Sequence, residues 1–137
     1  MEKLNNEEIK EKILEYRENK KSCSQSVLTA ICLKQDIPLD EKQLLSLGKG
    51  FSGGIGGTFD EGTCGALTGA IIALGLLLPD DEEKNVVLSK QLLKYFQEKY
   101  GTLQCKKLTN DGKDKSHCNE YCLFVGENFT QLTNMLL

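Results

Sequence analysis

The chain has 137 residues, 27% of them charged, with a formal net charge of −3. That length supports one domain with a real core, and the near-balanced charge leaves no electrostatic case for nucleic acid or anionic lipid as a partner. Six cysteines against a single histidine, His117, make histidine-rich metal sites and His-based triads poor candidates. The amino-terminal stretch has no apolar export segment, so a cytoplasmic location is expected. Stable disulfides are rare there, and the cysteines then point to metal binding or redox chemistry.

In chain order, Asn5 to Asn19 reads as an amphipathic helix. Asn5 serves as cap, Glu8 stands in the reciprocal position, and Ile9, Ile13 and Tyr16 or Arg17 follow at helical spacing. Ser22 can cap a second helix in which Cys23, Val27, Ala30 and Ile31 share a face. Cys32, nine residues beyond Cys23, lies about half a turn away from it and reads as a small core hydrophobe. A third helix follows Pro38, with Asp40 as cap and Gln43 completing the box, and Gly48 stops it.

A glycine-rich loop comes next, Phe51-Ser52-Gly53-Gly54-Ile55-Gly56-Gly57. Two phosphate-binding patterns fail on it. In the P-loop spacing from Gly57 to Gly62, Thr63 stands where the lysine is required, and no strand precedes it. In the dinucleotide pattern Gly-x-Gly-x-x-Gly counted from Gly54, the last position is Phe59.

Thr63-Cys64-Gly65-Ala66-Leu67-Thr68-Gly69 then leads into an apolar run to Leu78, about 15 residues from Cys64, short of the roughly 20 a membrane span needs. It reads as a buried central helix. Gly65 and Gly69, four apart, permit close helix contact at a propensity cost of about 1 kcal/mol each. Cys64, at the start of this helix, sits where free N–H groups favour negative charge.

Pro79 closes that helix, and Asp80 with Glu83 predicts a capping box for a long helix ending at Gly101. Cys105 follows beside Lys106 and Lys107, two cations that could lower a thiol pKa. Lys106 to Lys115 reads as a polar surface loop around the turn Asn110-Asp111-Gly112. The last helix starts near Ser116, and Cys118, Cys122, Val125, Phe129, Leu132 and Leu136 form its inward stripe. Cys118 and Cys122 could both donate to one metal or both fill core positions. The whole is expected to be all-α, a compact bundle of about five to six helices with the glycine-rich loop before the central buried helix, and a homodimer is compatible with it.

With these residues laid out, the chain resembles the family of redox-active proteins named for a Cys, a Cys-Gly-Ala-x-x-Gly segment and two further Cys, over nearly its full length. Cys23 in Cys23-Ser24-Gln25-Ser26-Val27-Leu28 resembles the first element, Phe51 to Gly69 the central one, Cys105 the third and Cys122 the fourth, with Cys118 able to replace it. The resemblance implies a small helical protein carrying a redox centre. On that basis Cys23, Cys64, Cys105 and Cys122 converge as thiolates on an iron–sulfur cluster, and the backbone of Gly53, Gly54, Gly56, Gly57 and Gly65 lies close to the cofactor. The protein would then serve as a redox or oxidoreductase component. It would exchange electrons with a partner protein or a small donor or acceptor. Two alternatives stay open: thiol–disulfide exchange with Cys64 as nucleophile and Cys23 or Cys105 as resolving partner, and a structural four-cysteine zinc module.

Overall fold

The computed structural model describes residues 3–136. They form seven α-helices: α1 Asn6–Glu18, α2 Cys23–Cys32, α3 Glu41–Gly48, α4 Gly65–Leu77, α5 Glu82–Tyr100, α6 Cys105–Leu108 and α7 Cys118–Leu136, with a 3₁₀ turn Lys49–Phe51 after α3. The fold is all-α, as expected, and the four-residue α6 brings the helices to seven. Local chemistry sets most boundaries. Ser22 with Gln25 and Asp40 with Gln43 form reciprocal capping boxes at α2 and α3. Asn5 accepts from the Glu8 N–H, and Gly101 ends α5 in a left-handed conformation at φ 79°. At α5 the cap is Asp81, which accepts from the Lys84 N–H, one residue later than the Asp80–Glu83 pattern predicts.

Helix α4 is the centre of the molecule: Ala66, Leu67, Ala70 and Ala73 are fully buried. Its glycines decide how near α2 can come. A Cβ on Gly69 would lie 2.6 Å from the Ser24 carbonyl oxygen, and one on Gly65 would lie 3.0 Å from the Phe51 oxygen and 3.1 Å from the Ser24 nitrogen. The first turn of α2 is therefore seated directly on the first turn of α4. It is held from the other side by α3, where the Ser24 hydroxyl donates to the Gly48 carbonyl at 2.6 Å and the Gln25 side-chain amide donates to the Leu45 carbonyl at 3.0 Å.

Helix α7 closes the bundle against α1 and α5. Gly126 faces the Ile13 side chain, the Asn134 side chain exchanges two hydrogen bonds with the Leu4 backbone, and Tyr121 and Phe124 stack edge-on with Phe96 and Tyr100 of α5.

Between the 3₁₀ turn and α4 the chain folds back on itself. Gly54, at φ +86°, is buried so tightly against the Glu61 carbonyl that no side chain fits. Phe59 adopts φ +56°, unusual for a bulky residue, and its ring packs over Gly53 on one side and Gly112 on the other. Lys115 lies over the same ring at 4.5 Å. The segment from Lys106 to Lys115, expected to be a polar surface loop, begins inside α6 and is tied down, with Asp111 and Asp114 N–H groups donating back to Lys106 and Thr109 carbonyls. An isolated antiparallel bridge joins Thr63 to Gln104.

Candidate functional site

Four cysteines stand at four helix starts. Cys23 opens α2, Cys64 is the N-cap residue of α4, Cys105 opens α6 and Cys118 opens α7. All four line one cleft of about 970 Å³. Each neighbour relation has its own cause. Gly65 and Gly69 let Cys64 approach Cys23 through the α2–α4 seat; a Cβ on Gly65 would lie 3.3 Å from the Cys23 Cβ. The bridge holds Cys64 to Cys105, because the Cys64 N–H donates to the Leu103 carbonyl at 2.8 Å and the Cys105 N–H to the Gly62 carbonyl at 3.2 Å. Tyr121 ties α6 to α7 by donating its hydroxyl proton to the Leu108 carbonyl at 3.2 Å.

The remaining two cysteines stand apart from the cleft wall. Cys122, one turn into α7, is completely buried, and its thiol interacts with that of Cys23 from below. Cys32, at the far end of α2, is 1% exposed within the hydrophobic core, as its position half a turn from Cys23 predicts. All six are free thiols. His117 is exposed beside Tyr121 at the start of α7.

The four cleft thiols, Cys23, Cys64, Cys105 and Cys118, are held towards their neutral form. Burial pushes the Cys64 thiol up, helped by the neighbouring Cys23 and opposed by the Ala66 and Leu67 N–H groups of the helix start. For Cys23 the interaction with Cys118 pulls downward, but Cys122 and burial outweigh it and the thiol is pushed up to about 12. Cys118 is raised by its interaction with Cys23 and by burial.

Cys105 differs from the sequence expectation. It is buried, and burial raises its pKa; the residues that oppose the rise are Thr109 and the distant Lys115. Lys106 instead pairs with Asp60 at 3.1 Å. No signal in the local sequence points to Lys115, because it reaches the site only through the fold of the segment between α6 and α7. Helical spacing offers Arg17 as one possible packing position on α1. It also acts on Cys23 and Cys118, and its guanidinium is aimed by bonds to Asn119 and the Lys21 carbonyl.

The glycine-rich loop forms another wall. Gly53, Gly56, Gly57 and Gly65 line the cleft, whereas Gly54 is buried behind it. The Gly56 and Gly57 N–H groups already donate within the loop, to Gly50 and Ser52 carbonyls at 2.8 and 2.7 Å, so these two serve the loop's own shape. Among the described residues no three His, Cys, Asp or Glu side chains gather so as to hold a single metal ion.

Comparison with known families decides what this arrangement belongs to. A family model described as "Putative redox-active protein (C_GCAxxG_C_C)" matches residues 21–132. The chain belongs to this family. In this member the central segment reads Cys64-Gly65-Ala66, and the order has a physical reason here. Position 65 faces the α2 backbone with no room for a side chain, while position 64 opens onto the cleft. No match was found among curated proteins or among solved structures.

Proposed function

We propose that this redox-active family member is an electron-transfer module in which Cys23, Cys64, Cys105 and Cys118 hold an iron–sulfur cluster on the cleft floor. The observation that carries the reading is the convergence of four cysteines, each at a helix start, on one cleft. Four thiolates are the usual full set for such a cluster. Cys118 lines the cleft and Cys122 does not, which favours Cys118 as the fourth ligand and leaves Cys122 supporting Cys23 from behind.

The cluster, when bound, would supply one-electron storage and transfer. The chain's own residues would do the rest. Helix starts at all four cysteines, with Arg17 and Lys115 nearby, compensate the negative charge of bound thiolates. Because the free thiols are raised, loading must release protons, so it is promoted by higher pH. A partner protein or small donor would exchange the electron through the open mouth of the cleft.

A second reading keeps a specific observation. Cys23 faces both Cys118 and Cys122, so oxidation of Cys23 with Cys118 would form one S–S bond and pass two electrons and two protons to an acceptor.

Anaerobic purification separates the two. The cluster predicts visible charge-transfer absorption with stoichiometric iron and sulfide, lost in Cys64→Ser and Cys118→Ala and kept in Cys122→Ala. Iron-free protein with a reversible two-electron titration would replace the cluster by the dithiol. One zinc per chain without a redox response would refute both.

A further inference from the structure

The cleft is far more basic than the chain around it. Six of the seventeen lysines and arginines line it, Arg17, Lys20, Lys21, Lys42, Lys49 and Lys115, against Glu41 alone of the twenty carboxylates. Glu41 is itself engaged, accepting a 2.6 Å hydrogen bond from the Tyr16 hydroxyl. The ion pairs among the described residues, Lys12 with Glu15, Lys34 with Glu8 and Lys106 with Asp60, involve none of the six. Cations concentrated without carboxylate partners in a concavity focus an attractive field for anions.

The cysteine centre accounts for only part of this charge. Arg17 and Lys115 are the cations that act on the thiols. Lys20 and Lys21, in the turn before Cys23, and Lys42 and Lys49, on α3 and the 3₁₀ turn, line the same cleft. The volume, about 970 Å³, is at the upper end of small-ligand pockets, and leaves space beyond the thiols. Phe59 and Tyr121 add aromatic surface to the lining.

We propose that the outer half of the cleft is a binding site for a small organic or inorganic polyanion, carrying phosphate or carboxylate groups, held by Lys20, Lys21, Lys42 and Lys49 beside Cys23 and Cys64. A concave lining of this size fits a small molecule better than a protein face. The site deepens the redox reading by naming the class of molecule admitted next to the centre. Its anion affinity stands independently of whether the thiols hold a cluster.

Calorimetric titration of the full chain, purified anaerobically, tests it with pyrophosphate and with citrate at low and high ionic strength. Saturable one-to-one binding of either, weakened by salt, is expected, and the tighter of the two identifies the anionic group. The double variant Lys42→Gln/Lys49→Gln should bind at least about tenfold more weakly, while Lys90→Gln/Lys94→Gln on the exposed face of α5 should bind as the parent does. Absence of saturable binding, or equal weakening by both double variants, overturns the proposal. So does a polyglutamate peptide that binds when both small anions fail, since that assigns the lysines to an acidic protein. Iron and sulfide are measured on each sample. Anion binding by iron-free protein would sink the cluster and leave the anion site standing.

Discussion

Replacing Gly69 by alanine tests the contact that builds the site. In an open helix the change stabilises, because alanine exceeds glycine by about 1 kcal/mol in helix propensity. At position 69 the added Cβ meets the Ser24 oxygen at 2.6 Å, with Ser24 Cα and C at 3.1 and 3.2 Å, all backbone atoms of α2. Restoring ordinary contact near ~3.5 Å requires the two helices to part by roughly 1 Å, and overpacking of this kind costs about 1–3 kcal/mol. Gly75, on the same helix, is the control: a Cβ there meets nothing within 4 Å. The propensity gain is common to both, so the difference between Gly69→Ala and Gly75→Ala isolates the steric cost. Urea unfolding of the metal-free protein should place Gly75→Ala above the parent by up to about 1 kcal/mol, and Gly69→Ala about 1–3 kcal/mol below Gly75→Ala. A Gly69→Ala variant as stabilised as Gly75→Ala would refute the claim that the α2–α4 seat is set by glycine.

Alkaline destabilisation should follow from Cys32, whose thiol burial pushes up to about 12 from an unfolded value of 9.0. A raised thiol pKa favours the folded state fully below pH 9 and progressively less towards pH 12, at about 1.4 kcal/mol per pH unit. Stability of iron-free Cys32→Ala measured across pH 9–12 should therefore fall less steeply than that of the parent, whatever its cavity costs at neutral pH; an equal slope refutes the assignment. Phe59→Ala should lose about 1–3 kcal/mol, less than a fully buried phenylalanine, by removing the ring between Gly53 and Gly112. Phe59→Gly should lose about 1 kcal/mol less than Phe59→Ala, because glycine tolerates φ +56°; comparison of urea midpoints decides it. Tyr16→Phe should cost about 1–2 kcal/mol by deleting the bond to Glu41, and an unchanged midpoint would refute that bond's contribution.

The sequence by itself determined the local structure. Capping at Ser22 and Asp40, the glycine at 101 and the apolar stripe of α7 are short-range signals, acting within a turn or two, and the helices they predict are present. Even the α5 cap missed by one residue, since Asp80 and Asp81 are chemically equivalent candidates and only the path of the chain after Leu78 selects between them. The all-α fold class, the burial of Cys32 and the inward stripe of α7 from Cys118 to Phe129 were legible for the same reason; at its end Leu132 is half-buried and Leu136 is exposed, because the bundle no longer covers the last turn.

Tertiary structure decided the rest, because it depends on residues far apart in the chain. The glycine spacing implied a close helix contact but did not name Ser24 as its partner. Two cysteines four apart on one helix face were indistinguishable by periodicity; the packing against α2 leaves Cys118 on the cleft wall and Cys122 beneath it. Lys106, next to Cys105 in sequence, pairs with Asp60, while Lys115, lying over the ring of Phe59, is the cation that acts on its thiol. A helix start can be read from four residues, but the meeting of four helix starts is fixed only when the whole bundle packs.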